Sequence, residues 1–171
     1  MSQHHRPCRT LALTLAAVLP LTATLLVQTP DRLMWNASAS LPIGLYWLRA
    51  PENIRVGTIV AVRPSGEAAR LVYGRHYVGA GIPLLKRVAA APGEKVCRTG
   101  DRISTGSIHA QALPHDRIGR PLPRWQGCHQ LRGQEVFLLN SRPDSLDGRY
   151  FGVTQASDII ARAEPVWTIG P

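Results

Sequence analysis

LLKRVAAAPGE, at residues 84–94, is an apolar run that two basic side chains interrupt. Residues 84–91 have the length and apolar character of a buried strand, and Pro92-Gly93 predicts a turn directly after it. An unpaired ammonium is costly to bury, so Lys86 either points to water or serves chemistry inside the domain. Burial lowers the pKa of a lysine from about 10.4 towards neutrality, and a neutral amine can accept the proton of a serine hydroxyl. Lys86 is therefore a candidate general base.

The segments on either side of this strand predict a mainly β domain with one short helix. Short apolar stretches are bounded by Gly and Pro, and the fifteen Gly and fourteen Pro favour strands and turns over long helices. The predicted elements are strands at residues 44–49, 57–62, 135–139 and 159–169 and a helix at residues 67–74, capped by Ser65 and ended by Gly74. The polar residues 97–130 predict an excursion of short hairpins.

The N-terminal segment differs in character from the rest of the chain. Residues 1–10 are polar and carry Arg6 and Arg9, whereas residues 11–27 (LALTLAAVLPLTATLLV) have no charge. Seventeen residues suffice for a short transmembrane helix, which Pro20 would kink, and the preceding basic residues favour a cytoplasmic N-terminus. We therefore expect a single-pass inner-membrane protein whose residues 28–171 form a periplasmic domain.

A cleaved signal peptide is the alternative interpretation of residues 11–27. Ala37-Ser38-Ala39 has the small-x-small pattern of a cleavage site. It lies well beyond Val27, farther than such sites normally stand, so an uncleaved anchor is favoured. Both interpretations export the domain.

The formal net charge of +9 and the isoelectric point near 10.5 restrict the partners of the chain. Lys and Arg are scattered singly, without a basic run, a recognition helix or a zinc-finger pattern, which argues against nucleic acid. A nearby anionic membrane explains the charge better. The six His show no metal-ligand spacing, so we expect neither a metal site nor a cofactor.

The three cysteines fit an exported domain. Cys8 precedes the apolar segment and is expected to stay reduced in the cytoplasm. Cys97 and Cys128 fall in the periplasmic part, where a disulfide between them would tie the base of the excursion at residues 97–130. Two buried free thiols are the alternative.

Two further segments carry candidate functional residues. Ser38-Ala39-Ser40-Leu41 follows the apolar segment, and an isolated Ser-x-Ser is most often a turn or a cap. Residues 144–152 (DSLDGRYFG) have the composition of a surface turn. Beside a buried lysine, however, a serine hydroxyl can hold the amine in place, and an Asp–Arg pair can lock the loop.

Taken in chain order, the three segments resemble the signature boxes of bacterial type I signal peptidases, most closely those of the conjugal-transfer (TraF-type) branch. Ser38-Ala39-Ser40-Leu41 is similar to the family's Ser-x-Ser-Met, with Leu in place of Met. Lys86-Arg87, followed by Pro92-Gly93-Glu94, is similar to its Lys-Arg and Pro-Gly-Asp. Residues 144–152 match its last box without a gap. The large second domain of some members has no room here, where only the excursion at residues 97–130 occupies that position.

This resemblance implies a signal-peptidase-like β domain in which Ser40 is the nucleophile and Lys86 the general base. The supporting residues that it implies are the Ser38 hydroxyl and the Ser40 N–H as an oxyanion hole, Ser145 as the residue that orients the Lys86 amine, and Asp147 and Arg149 as structural supports.

The resemblance also implies a substrate class, an exported and membrane-tethered precursor such as a pilin, cut after small residues. Water or the pilin's own amine could accept the cut chain, and both remain open. A non-catalytic anchored component of a pilus or secretion machine is the alternative, but it leaves Lys86 and residues 144–152 unexplained. A self-cleaving repressor is disfavoured, because such proteins need a DNA-reading module and the N-terminal segment here is expected to be a membrane segment. The oligomeric state is not indicated.

Overall fold

The computed structural model describes residues 33–170, together with Ala16. Apart from Ala16, the predicted anchor at residues 11–27 lies outside this described part, as does Cys8. Within the described part, no helix has both the length and the apolar character needed to cross a membrane.

The described chain is mainly β, as predicted, and its strands are all paired antiparallel. The strands are β1 (Leu33–Asn36), β2 (Ile43–Arg49), β3 (Ile59–Val62), β4 (Leu84–Ala90), β5 (Lys95–Thr99), β6 (Arg102–Thr105), β7 (Ile108–Gln111), β8 (Gly127–Gln130), β9 (Glu135–Leu138), β10 (Thr154–Gln155) and β11 (Ile159–Ile169). Seven of them form one sheet in the order β1-β2-β11-β3-β4-β9-β10. The predicted strand at residues 57–62 begins only at Ile59, because Gly57 lies in a turn that the Thr58 N–H closes by donating to the Arg55 carbonyl oxygen.

The remaining four strands form a smaller sheet in the order β7-β6-β5-β8, and it corresponds to the predicted excursion. Cys97 on β5 lies directly opposite Cys128 on β8, and the two form a disulfide. The predicted bridge is therefore present in the structure, and it joins strands at one edge of the smaller sheet.

Helix α1 (Gly66–Val72) corresponds to the predicted helix but is shifted towards the N-terminus. Ser65 occupies the N-cap position, as predicted, but its hydroxyl makes no capping bond and instead lies 3.0 Å from Asp158 Oδ2. The helix ends at Val72, before Gly74, with Tyr73 as its C-cap. A single helical turn, α2 (Gly148–Phe151), and a 3₁₀ turn (Ala156–Asp158) complete the elements and were not predicted.

Strand β4 lies in the interior of the larger sheet, between β3 and β9. Leu85 packs in an apolar cluster with Tyr46, and Val88 packs in a second one with Leu138. Because these neighbours pack into the core on both sides of Lys86, the lysine side chain is enclosed by protein. The fold thus places a basic side chain in a buried position on an interior strand.

Gly44 brings the segment after β1 back against the sheet. It pairs with Asn36 on one side and Thr168 on the other, at a φ of 151°. A Cβ at this position would lie 2.1 Å from the carbonyl oxygen of Trp167. Only glycine allows this close approach, which fixes the loop of residues 37–42 beside the sheet.

Candidate active site

Lys86 is buried, with 5% of its surface exposed, although it carries an amine. Its Nζ donates a hydrogen bond of 3.1 Å to Ser145 Oγ. Burial lowers the pKa of Lys86 to about 8, against the opposing effect of Asp147 and with a smaller contribution from Arg149 in the same direction. A substantial fraction of this amine is therefore neutral at mildly alkaline pH, which is the form that can accept a proton.

Asn36, at the end of β1, holds the loop that carries the two candidate serines. Its Nδ2 donates to the carbonyl oxygens of Ser38, Leu41 and Pro42 at 2.9, 3.2 and 3.0 Å. Its Oδ1 accepts a hydrogen bond of 3.1 Å from the Ser38 N–H. Because one buried side chain bonds the loop at both ends, the backbone of Ser40 is held in a defined position.

Ser40 lies at the mouth of the site, and its hydroxyl has two polar neighbours. Ser38 Oγ lies 3.1 Å from Ser40 Oγ, and Asn140 Nδ2 donates to Ser40 Oγ at 3.1 Å. The Ser40 N–H donates to Ser38 Oγ at 3.4 Å. In the described part of the chain the Lys86 amine is hydrogen-bonded to Ser145 and not to Ser40.

Asp147 and Arg149 form a buried ion pair, with 2.7 Å between Arg149 Nη1 and Asp147 Oδ2. The Asp147 carboxylate also accepts from the backbone N–H groups of Asn140 and Arg149, at 3.0 and 3.1 Å. Arg149 Nη2 donates to the Asn140 carbonyl oxygen at 2.8 Å. Burial raises the pKa of the Asp147 carboxyl, while the cations of Arg149 and Lys86 oppose that rise. The pair closes the loop of residues 140–149 on itself and keeps Ser145 beneath Lys86.

The candidate residues share one cavity of about 760 Å³. Ser38, Ser40, Lys86 and Ser145 contribute to its wall, and the apolar side chains of Ile82 and Leu113 line it further along. Leu113 belongs to the segment between β7 and β8, and Arg117 of the same segment donates to Asp144 at 2.5 Å. The disulfide-tied excursion therefore supplies part of the wall of the cavity.

Four predicted residues, Ser38, Ser40, Lys86 and Ser145, thus line this cavity, while Asp147 and Arg149 lie behind Ser145. The sequence reasoning missed Asn36 and Asn140, both of which contact the segment around Ser40. Asn140 offers one usable signal, because it is the polar residue that ends the apolar run of residues 136–139. Asn36 offers none, since an asparagine before a serine-rich turn is ordinary.

Arg98 is a third residue that the sequence did not single out. It stands next to Cys97 on β5, is almost completely buried, and donates through Nη1 to the carbonyl oxygen of Arg149. Its guanidinium also lies over the ring of Trp125, with 6.0 Å between Cζ and the ring centroid. The smaller sheet is thereby bonded to the loop that supports the site.

Comparison with known proteins identifies the family of the chain. The family described as signal peptidase, peptidase S26, matches residues 7–168. A plasmid transfer protein TraF of Escherichia coli is 34% identical over 144 residues, which cover 78% of this chain and 81% of that protein. A conjugal transfer protein TraF of Agrobacterium fabrum is 32% identical over 153 residues, covering 80% and 82%. A signal peptidase I structure from Enterococcus faecalis aligns with a TM-score of 0.38 at 20% identity, covering 63% of this chain and 94% of that one. On the family match and these relatives, the chain belongs to the S26 signal peptidase family.

Proposed function

We propose that this chain is a membrane-anchored serine endopeptidase in which Ser40 attacks the peptide carbonyl and Lys86 takes its proton. The observation that carries the proposal is a buried lysine whose pKa is lowered to about 8, in the same cavity as a loop-held serine. A buried lysine with a lowered pKa can act as a base. Without such a role, burying its charged amine would only lower the stability of the fold.

In the first step the Ser40 hydroxyl turns from Ser38 towards the Lys86 amine, which accepts its proton as the Oγ–C bond forms. The protonated amine then gives a proton to the leaving nitrogen as the C–N bond breaks. An acyl group remains on Ser40 until an acceptor attacks its carbonyl, and Lys86 takes the acceptor's proton in turn.

The supporting residues have distinct parts in this proposal. The Ser38 hydroxyl and the Ser40 N–H, now 3.4 Å apart, form the oxyanion hole once the carbonyl oxygen of a substrate lies between them. Ser145 orients the Lys86 amine through the 3.1 Å hydrogen bond. Asp147 and Arg149 hold the Ser145 loop through their buried pair.

The substrate class that we propose is an exported precursor held at the membrane by its own apolar segment, in particular a pilin precursor of a conjugal-transfer system. The TraF relatives are conjugal or plasmid transfer proteins, which favours this class. The uncharged residues 11–27 would anchor the enzyme in the inner membrane with its cavity on the periplasmic side. Both enzyme and substrate would then meet at the membrane surface.

The test is co-expression of the full chain with the pilin precursor of its host's conjugal-transfer system, read by intact mass. Wild type is expected to shorten the precursor, while Ser40→Ala and Lys86→Ala leave it uncut. Ser107→Ala and Lys95→Ala, which change exposed residues of the smaller sheet, are matched controls and should process like wild type. Processing by both site variants would refute the peptidase and favour the non-catalytic pilus or secretion component.

The same mass measurement identifies the acceptor. A product equal to the linear cut chain indicates hydrolysis. A product lighter by one water indicates that the amine of the pilin has closed a ring.

A further inference from the structure

One asparagine side chain connects the candidate nucleophile with the strand of the candidate base. Asn140 is buried, and its Nδ2 donates to Ser40 Oγ at 3.1 Å and to the Leu85 carbonyl oxygen at 3.3 Å. Its Oδ1 accepts a hydrogen bond of 2.9 Å from the Arg87 N–H. Leu85 and Arg87 are the residues immediately before and after Lys86. The amide therefore fixes the distance between the Ser40 oxygen and the backbone of Lys86.

The orientation of this amide follows from its partners. The Arg87 N–H can only donate, so the atom that faces it must be the carbonyl oxygen of the Asn140 side chain. The NH₂ group then faces Leu85 O, which can only accept, and Ser40 Oγ. In a flipped amide the NH₂ group would face the Arg87 N–H, donor against donor. The side-chain oxygen would face the Leu85 carbonyl oxygen, acceptor against acceptor. Ser40 Oγ is thus the acceptor of a hydrogen bond from Asn140.

We infer that Asn140 is a further catalytic residue, whose amide donates to Ser40 Oγ and stabilises the negative charge that develops there during attack. The inference rests on the proposed function of Ser40 and Lys86. An amide neither gains nor loses a proton in the working pH range, so Asn140 does not compete with Lys86 as a base. By occupying a lone pair of the oxygen, it also leaves the hydroxyl proton free to turn towards Ser38 or Lys86.

A thiol in place of the hydroxyl tests this contact without requiring catalysis. In full-length Ser40→Cys protein in detergent, the pH dependence of iodoacetamide alkylation at position 40, read by peptide mass spectrometry, gives the pKa of the thiol. A donor to the thiolate lowers its pKa, so adding Asn140→Ala should raise that pKa by about one unit. Adding Val72→Ala, which opens a gap beneath helix α1 and away from the cavity, is the control and should leave it unchanged.

Peptidase kinetics provide the second measurement. Asn140→Ala and Asn140→Asp should each lower kcat about 10- to 100-fold with little change in KM, as expected for a hydrogen bond that strengthens with charge. The aspartate variant keeps the acceptor for the Arg87 N–H, so it is a second test if the alanine variant misfolds. Thermal melting of both variants shows whether they are folded. Val72→Ala should keep the wild-type kcat below its melting temperature.

The outcomes separate the inference from the proposed function. An unchanged thiol pKa in the presence of Asn140→Ala, or a folded Asn140 variant with the kcat of wild type, overturns the role of Asn140 alone. Wild-type protein that cuts no better than Ser40→Ala overturns the proposed function and this catalytic role with it.

Discussion

Lys86 Nζ lies 3.1 Å from Ser145 Oγ, across 59 positions of sequence. The lysine comes from the interior strand β4, whereas the serine comes from the loop that precedes α2. In the described part of the chain this is the single hydrogen bond of the amine. Lys86 is therefore a buried amine with one fixed partner, and both its reactivity and its cost to stability follow from that environment.

The first prediction concerns the pH dependence of activity. The neutral amine is the proposed base and burial lowers the pKa of Lys86 to about 8, so kcat/KM should rise with pH and level off above an inflection near 8. Initial rates of cleavage of a pilin-derived fluorogenic peptide between pH 6 and 10 measure this. A profile that is flat, or that falls with pH over this range, contradicts a lysine base.

A charge variant provides an internal control for that profile. The Asp147 carboxylate raises the pKa of Lys86, so Asp147→Asn should move the inflection to lower pH. An inflection that stays in place would assign the titration to another group.

The second prediction concerns Ser145. Ser145→Ala removes the hydroxyl that holds the Lys86 amine, and a misplaced base should lower kcat about 10- to 100-fold with KM nearly unchanged. Ser141→Ala removes an exposed hydroxyl from the same loop and should have no such effect. Equal kcat values for the two variants would show that the 3.1 Å contact is not needed for the reaction.

The third prediction concerns the stability cost of the lysine. The pKa of Lys86 falls from 10.5 to about 8 on folding, so the protonated amine destabilises the fold below pH 8, and this penalty disappears as the pH rises to 10.5. This lowering of the pKa corresponds to a destabilisation of about 3 kcal/mol when the amine is protonated. Replacing Lys86 removes that penalty but also removes the hydrogen bond to Ser145, which offsets part of the gain in stability. Lys86→Met should therefore raise the free energy of unfolding by roughly 1–3 kcal/mol at pH 7 and abolish activity.

Urea unfolding of wild type and Lys86→Met at pH 7 and at pH 10.5 measures this difference. The advantage of the methionine variant should shrink at the higher pH, where the lysine is neutral in the folded state and about half neutral in the unfolded state. A variant that is less stable than wild type at pH 7 would show that burial does not penalise the ammonium.

The fourth prediction compares two Asp–Arg pairs. Arg149→Met leaves the Asp147 carboxylate buried without its 2.7 Å partner and should lower the free energy of unfolding by about 3–5 kcal/mol. Arg117→Met removes the exposed partner of Asp144 and should cost less than about 1 kcal/mol. Urea denaturation of both variants measures the two losses in the free energy of unfolding. Similar losses would mean that the buried pair has no special part in holding the Ser145 loop.

Much of this arrangement could be predicted from the sequence, because the deciding residues lie in short continuous segments. The apolar run around Lys86 indicated a strand, and the Gly- and Pro-bounded stretches indicated a mainly β chain. The pairing of Cys97 with Cys128 was predicted from the expected export of the domain and from the position of the two residues at the ends of a polar excursion, and the structure contains this disulfide. In each case the local pattern and the tertiary environment favour the same structure.

The contacts of Asn36, Arg98 and Asn140 could not be predicted, because each depends on partners that are distant in the sequence or on loop geometry. Asn140 reaches Ser40 across 100 positions and Leu85 across 55, so its role appears only when β4 and the loop after β9 come together. Helix α1 shows a smaller effect of the same kind. Its Ser65 hydroxyl contacts Asp158 in place of the helix N-terminus, which overrides the local capping preference.

The last prediction concerns the disulfide of the smaller sheet. Cys97 and Cys128 are 31 positions apart, and opening a loop of that size should lower the free energy of unfolding by about 3–4 kcal/mol. Because the adjacent Arg98 bonds the carbonyl of Arg149, loosening β5 should also disturb the loop that holds Ser145. We therefore expect the double variant Cys97→Ser/Cys128→Ser to melt at lower temperature and, while still folded, to show a reduced kcat. Cys8→Ser is the matched control, and a double variant with normal kcat at temperatures where it is folded would separate the smaller sheet from the site.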